Sequence, residues 1–221
     1  SLFSSRLLFL VEQGYVPDAL LRLGMRRLMA QTLAECEARG AEATDAAKFA
    51  AKLRTRPVAE ATEKANEQHY EVDADFYTLM LGPRFKYSCA LWPRPETTLA
   101  EAEEAMLALT CERAGVGLPE VRSILDMGCG WGSITLYVLE KFPNVRVTCV
   151  SNSNSQREFI LARAAKLGAA DRLSAHTMDA NVMEFPPDSF DRVVSVEMFE
   201  HMKNYEVLFG RIAKWLKPGG K

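Results

Sequence analysis

The sequence predicts an α/β fold, in which a parallel sheet is covered by helices on both faces and preceded by a helical N-terminal extension. Two observations predict the sheet. Apolar runs of strand length alternate with segments of helical periodicity from residue 123 onward, which is typical of parallel strands joined by crossover helices. A glycine-dense turn follows the first run at once, as at the strand-to-helix turns that bind ligands in such sheets. Residues 1 to about 66 show only helical patterns, which predicts the extension.

Composition argues against several classes of protein. The 221 residues suffice for one core with an appendage, and a formal net charge of −2 argues against a nucleic-acid binder. No apolar run approaches the roughly 18 residues of a membrane span. The five cysteines form no C-x-x-C pair, which favours reduced thiols and a cytoplasmic location. The three histidines are scattered, so we expect no metal site.

Two segments precede the predicted sheet domain. Residues 1–66 are rich in alanine and charged side chains and are expected to form the helical extension. Residues 67–115 are rich in aromatic side chains and end in a lead-in helix. That helix begins at Thr98-x-x-Glu101, the pattern of a capping box, and extends to about Arg113.

Residues 116–221 are expected to form the sheet domain. We predict strands at 123–126, 145–150, 172–177 and 190–196, and helices at 131–141, 154–167 and 203–216. The chain ends at Leu216-Lys-Pro-Gly-Gly-Lys221, which is typical of a turn before another strand. We therefore expect the sequence to be a fragment whose sheet is incomplete and whose C-terminal part is missing.

The glycine turn after the first strand indicates the ligand. Gly128, Cys129, Gly130 and Gly132 give the spacing G-x-G-x-G, which differs from the G-x-G-x-x-G of dinucleotide-binding units. Glycines let the backbone approach a ligand closely. Asp126, at the tip of the strand, suits a cationic, amine-bearing ligand. S-adenosylmethionine has both a sulfonium and an amino group, so we expect this cofactor here; the alternative is a turn that binds nothing.

A second group of polar residues follows the fourth strand. Glu197, Glu200 and His201 come directly after an apolar run. Because ligands bind at the carboxyl ends of parallel strands, we expect these side chains to face the same crevice as the glycine turn. A glutamate and a histidine there are suitable for accepting a proton, and grouped carboxylates should raise one another's pKa. A helix cap or a surface position is the alternative for His201.

The ends of the second and third strands are expected to bind adenosine. Many adenosine-binding sheets place an acidic residue after the second strand to hold the ribose hydroxyls, whereas this chain has Ser151, Asn152 and Gln156. Asp179 and Ala180, after the third strand, suit the adenine amino group. A helix cap and a plain loop aspartate are the alternatives at these two places.

Several motifs resemble one enzyme family. They are His69-Tyr-Glu-Val72, Asp75-Phe-Tyr77, Lys86-Tyr-Ser-Cys89, Thr98 to Arg113, Ile124 to Leu136, Val150 to Gln156 and Phe190 to Tyr205. In this order and spacing they resemble the coclaurine and related alkaloid N-methyltransferases of plants, a group similar to the cyclopropane-fatty-acid synthases. The resemblance covers residues 66–221 and implies a class I methyltransferase fold, a Rossmann-like three-layer sandwich.

The resemblance also implies roles for residues. It matches Glu197, Glu200 and His201 to the polar residues that receive the substrate amine, and Glu197 stands where the lipid-modifying enzymes typically have glycine. Tyr70 and Tyr77 match aromatic positions near the substrate, and Tyr87 and Ser88 match a segment that covers the cofactor. Cys89 matches a residue that helps to hold bicarbonate in the lipid enzymes.

Three functions therefore compete. The sequence favours S-adenosylmethionine-dependent N-methylation of a small amine. A homodimer is compatible with this function. Modification of unsaturated phospholipid chains is the alternative, and only then would the partner be a membrane surface. A protein with this fold but no catalytic activity is the third.

Overall fold

The structure, a computed structural model, describes residues 9–39, 46–60 and 74–221. The chain forms two units, Ser1–Lys52 and Leu53–Lys221. The first unit contains helix α1, Asp18–Arg39, and most of helix α2, Ala46–Arg54. The predicted domain boundary at residue 66 lies outside the described residues.

The lead-in segment of the second unit contains two helices, α3 at Ala74–Met80 and α4 at Leu99–Ala114. The predicted capping box of α4 is confirmed. The Thr98 hydroxyl accepts from the Glu101 N–H at 3.3 Å, and the Glu101 carboxylate accepts from the Thr98 N–H at 2.9 Å. Gly115, at a φ of 63°, ends the helix in the left-handed conformation that glycine tolerates.

The predicted alternation of strands and helices is also confirmed. The elements are β1 (Ser123–Met127), α5 (Ser133–Lys141), β2 (Arg146–Ser151), α6 (Asn154–Lys166), β3 (Leu173–Thr177), β4 (Arg192–Ser195) and α7 (Tyr205–Trp215), with short 3₁₀ turns at Ala170–Arg172 and Phe199–His201. The four strands are all parallel in the order β3-β2-β1-β4. The fourth strand is shorter than expected, because Phe190 forms only an isolated bridge to Leu216.

Both faces of the sheet are buried, which places the core. Successive side chains of a strand point to opposite faces. Ile124 packs with Val138 of α5 on one face, whereas Leu125 packs with Leu208 and Trp215 of α7 on the other. This is the three-layer arrangement expected from the sequence.

The segment after α7 returns to the outer side of β4. The Lys221 carbonyl accepts from the Val193 N–H at 2.8 Å, and the Lys221 N–H donates to the Asp191 carbonyl at 3.1 Å. In the described ranges no helix is both long enough and apolar enough to cross a membrane.

Candidate active site

The carboxyl ends of the strands open onto two adjoining cavities. The first, of about 350 Å³, lies between the glycine turn and the loop after β4. The second, of about 160 Å³, extends toward the ends of β2 and β3. Gly128, Gly130, Glu197 and His201 line both cavities, so the two predicted groups of site residues meet here.

The three glycines of the turn serve different purposes. All have positive φ angles of 74°, 52° and 79° at Gly128, Gly130 and Gly132. A Cβ at Gly128 would lie 2.8 Å from Met198 Sδ, and one at Gly132 would lie 2.6 Å from Ile160 Cγ1. A Cβ at Gly130 would meet no atom within 4 Å and would instead extend into open space. Gly128 and Gly132 are therefore needed for packing, whereas Gly130 keeps the cavity clear.

Asp126 is a buried carboxylate beside the first cavity. It is 2% exposed, and its Oδ2 accepts a 2.7 Å hydrogen bond from the Thr135 hydroxyl. Burial raises the pKa of Asp126 from 3.8 to about 6, although the Thr135 bonds and the Lys86 ammonium act in the opposite direction. A cation bound in this cavity would favour the charged form of Asp126, so the site suits a cationic ligand.

The loop after β4 presents the second group of acids. Glu197 adopts a φ of 52°, which is rare for a residue other than glycine. Its Oε1 accepts a 2.8 Å hydrogen bond from the Cys89 N–H. Glu200 and His201 are exposed in the 3₁₀ turn and line the first cavity. The three side chains thus face the glycine turn, as the sequence predicted.

The predicted rise in the pKa of these carboxylates is wrong for Glu197. Its pKa is lowered, mainly because the Cys89 N–H stabilises the charged form, and the Lys86 ammonium adds to this effect. Among the described site carboxylates, a raised pKa is found instead at Asp126, because burial removes this carboxylate from water.

The segment of residues 84–89 is held to helix α4 by a second carboxylate. Glu103, 1% exposed on α4, accepts from the backbone N–H of Arg84 at 3.0 Å and of Lys86 at 3.4 Å. The Lys86 side chain is also buried, and its ammonium donates to the Ser88 hydroxyl. Burial lowers the pKa of Lys86, an effect that nearby Glu197 partly opposes.

Aromatic side chains form one wall of the first cavity. Phe85, Tyr87 and Trp131 line it. Behind them, the Tyr77 ring lies 5.5 Å from that of Tyr87 and 4.8 Å from that of Trp131, centroid to centroid. Such rings provide faces that attract a cation.

The second cavity contains the residues predicted to bind adenosine. Ser151, Asn152, Gln156, Asp179 and Ala180 all line it. The Ser151 hydroxyl donates to Gln156 Oε1, whereas the buried Gln156 Nε2 has no hydrogen-bond partner within the described part of the chain. A buried donor without a partner costs free energy, so Gln156 Nε2 is suited to a ligand atom.

The comparisons with known proteins identify the family. The sequence model of the mycolic acid cyclopropane synthetase family matches residues 58–221. The chain belongs to this family. Within it, the chain is 42% identical over 174 residues to an (S)-coclaurine N-methyltransferase of Thalictrum flavum subsp. glaucum, which covers 76% of this chain and 45% of that protein. It is 36% identical over 156 residues to the cyclopropane-fatty-acyl-phospholipid synthase of Escherichia coli K12, covering 70% of this chain and 38% of the relative.

Solved structures agree with this placement in the mycolic acid cyclopropane synthetase family. A coclaurine N-methyltransferase bound to N-methylheliamine and SAH has a TM-score of 0.80 at 34% identity, over 98% of this chain and 62% of the other. The cyclopropane synthase MmaA2 of Mycobacterium tuberculosis has a TM-score of 0.64 at 28% identity, over 73% of this chain and 55% of the other. The chain spans about half the length of the curated relatives it matches, or somewhat less.

The predicted roles of Tyr70, Tyr77 and Cys89 in binding the substrate stay predictions. Tyr70 lies outside the described residues. Tyr77 is buried one layer behind the cavity wall, and Cys89 is exposed beside Glu197; neither lines the two cavities among the residues described. Sequence reasoning also missed Glu103 and Lys86, whose importance depends on burial that no local pattern indicates.

Proposed function

We propose that this family member is an S-adenosylmethionine-dependent methyltransferase that acts on the nitrogen of a small amine. The observation that supports this proposal best is that Glu197, Glu200 and His201 line the same cavity as the glycine turn. An amine held there would have proton acceptors on one side and the cofactor site on the other. The five free cysteines fit the reducing cytoplasm, where we place the protein.

The residues present fit the cofactor. Open space lies beside Gly130, the Gln156 Nε2 donor has no partner within the described residues, and the buried Asp126 would gain from a nearby cation. We propose that Asp126 and the glycine turn hold the amino-acid end, and that Ser151, Gln156 and the other residues of the second cavity hold adenosine. When bound, the cofactor supplies an electrophilic methyl group.

The residues of the loop after β4 would bind the amine and remove its proton. A basic amine is mostly protonated near neutral pH and then has no lone pair for attack. The lowered pKa of Glu197 keeps this residue charged, so it would attract the amine by a charge-assisted hydrogen bond. Glu200 and His201, exposed to the cavity, would accept the proton and pass it to solvent. The rings of the cavity wall would help to align the amine for attack and would stabilise the cationic product. These rings belong to Phe85, Tyr87 and Trp131.

Phospholipid modification is the second candidate. It is favoured by Cys89, which the resemblance matches to a bicarbonate-holding residue, and by the cyclopropane synthases among the relatives. Glu197 argues against it, because the lipid enzymes typically have glycine at that position. A membrane surface as a partner belongs to this candidate alone.

The test uses the full-length protein with methyl-labelled S-adenosylmethionine. One arm supplies a panel of primary to tertiary amines, and the other supplies vesicles of unsaturated phospholipid with bicarbonate. We expect label in an amine product, detected by mass spectrometry, and none in lipid. Label in lipid alone would replace the first candidate with the second, and SAH binding without any product would favour the non-catalytic alternative.

A further inference from the structure

The end of β2 lacks the carboxylate that commonly binds the ribose of an adenosine. A ribose presents two neighbouring hydroxyls that need acceptors, and nucleotide-binding sheets commonly meet this need with a carboxylate. Here β2 ends at Ser151 and is followed by Asn152. The Gln156 side-chain oxygen already accepts from the Ser151 hydroxyl. The residues directly after β2 therefore offer no carboxylate to these hydroxyls, and a carboxylate there would have to come from another element.

A strap formed by residues 54–60 approaches this cavity from an earlier part of the chain. The Asn204 amide donates to the carbonyls of Arg54 and Arg56 at 2.9 and 3.0 Å. The Lys203 N–H donates to the Val58 carbonyl at 2.8 Å. These bonds fix the strap to the start of α7.

The end of the strap is held most firmly. Asn181 Oδ1 accepts from the Ala59 N–H at 2.9 Å, and Asn181 Nδ2 donates to the Ala59 carbonyl at 3.0 Å. Val58 and Ala59 are buried in the core cluster that includes Met183 and Met202. Glu60 therefore begins from an immobilised backbone at the rim of the second cavity.

Glu60 lines that cavity together with Asn152, Gln156 and Asp179. Its Oε2 accepts a 3.2 Å bond from Arg56, and its side chain is 38% exposed. Within the described residues, its Oε1 has no donor within hydrogen-bond distance. The side chain is thus oriented by an ion pair at one oxygen while the other can accept from a ligand.

We propose that Glu60 is the ribose-binding carboxylate of this protein, supplied by the strap instead of by β2. Its carboxylate would accept from the neighbouring 2′- and 3′-hydroxyls, while the Gln156 Nε2 donates to the same adenosine from the other side. Asn181 would be a positioning residue that acts through Ala59. The inference rests on the proposed use of S-adenosylmethionine.

The test is calorimetric binding of SAH, and of its 2′,3′-dideoxy analogue, to the full-length protein. Glu60→Gln keeps the size of the side chain but removes its charge, and Glu158→Gln, on the exposed surface of α6, is the matched control. A hydrogen bond to a charged group contributes enough that we expect Glu60→Gln to weaken SAH binding about tenfold or more. Binding of the dideoxy analogue should be nearly the same in Glu60→Gln, Glu158→Gln and wild type.

The outcomes separate the inference from the proposed function. If wild type does not bind SAH, the proposed cofactor is wrong and the inference fails with it. If wild type binds SAH and Glu60→Gln binds it equally well, only the inference fails. Equal weakening of SAH and of the dideoxy analogue also overturns it, because Glu60 would then act on something other than the hydroxyls. Asn181→Ala should also weaken SAH binding. Because Asn181 would act through Ala59 on Glu60, the double variant Asn181→Ala/Glu60→Gln should lose less affinity than the sum of the two single losses.

Discussion

The backbone N–H of Cys89 donates a 2.8 Å hydrogen bond to Glu197 Oε1 across 108 residues of sequence. This bond joins the 84–89 segment to the loop after β4, and the buried Glu103 holds the other end of the segment. Two carboxylates on different elements therefore position the segment that closes the first cavity.

Replacing Glu197 should separate its backbone strain from its chemistry. Both Glu197→Gly and Glu197→Ala lose the bond to Cys89, but only glycine relieves the φ of 52°. We expect the glycine variant to be more stable than the alanine variant by about 1 kcal/mol in urea unfolding. Both should raise the KM for the amine. An alanine variant as stable as the glycine variant would contradict the strain at this position.

Substitutions at Gly130 and Gly132 should affect different properties, the first SAH binding and the second thermal stability. Gly130→Ala places its Cβ in open space, so the protein should fold with only the roughly 1 kcal/mol cost of a left-handed alanine but should bind SAH at least tenfold more weakly. Gly132→Ala would force its Cβ to within 2.6 Å of Ile160 and should mainly lower the Tm. Calorimetry and thermal melts distinguish the two. Wild-type affinity in Gly130→Ala would remove this position from the cofactor site.

The raised pKa of Asp126 predicts how the stability of the ligand-free protein depends on pH. Its contribution to folding is fully present below about pH 3.8 and is lost as the pH rises through about 6. Asp126→Asn lacks this loss and can still accept from Thr135, so at pH 7 it should be more stable than wild type by up to about 3 kcal/mol. The gain should shrink toward pH 4. Urea unfolding at several pH values measures it, with the exposed Asp171→Asn as the control.

Glu200 and His201 should govern the proton of the amine and leave the cofactor unaffected. Removing a general base typically costs about 100- to 10,000-fold in rate. Glu200→Ala and His201→Ala should therefore lower kcat while keeping the affinity for SAH. The loss should be smaller at high pH, where the free amine has already lost its proton. Wild-type turnover by both variants would show that neither residue accepts the proton.

Glu103→Gln should loosen the 84–89 segment. Glutamine has one acceptor oxygen where the carboxylate bonds two backbone N–H groups, so one buried donor loses its partner. We expect a cost of about 1 to 3 kcal/mol and a lower Tm, with weaker SAH binding. Glu112→Gln, exposed on the same helix, is the control and should change neither quantity.

The sequence predicted those features that local patterns determine. The capping box at Thr98, the glycine turn and the four strands each depend on residues close together in the chain, and the parallel order brought Asp126 and Glu197 to one cavity. The positions of Glu60 and Glu103 could not be predicted in this way. Glu60 depends on Asn181, 122 residues from Ala59, and Glu103 is important only because packing buries it.

The sequence also could not predict how burial and hydrogen bonding change the pKa values of the site carboxylates. A count of carboxylates indicated raised pKa values after β4, but hydrogen bonding lowers the pKa of Glu197, and desolvation raises that of Asp126. Which of these effects dominates depends on the solvent exposure of each carboxylate and on its hydrogen-bond donors, and only the three-dimensional structure gives both.

Asn204 links the strap to the start of α7. Its Oδ1 accepts from the Val207 N–H to begin α7, while its Nδ2 binds two carbonyls of the strap about 150 residues earlier. A ribosome releases the strap long before it releases this asparagine. During synthesis the strap therefore lacks these hydrogen bonds at first, and the part of the second cavity's wall that it contributes can form only when the start of α7 has emerged.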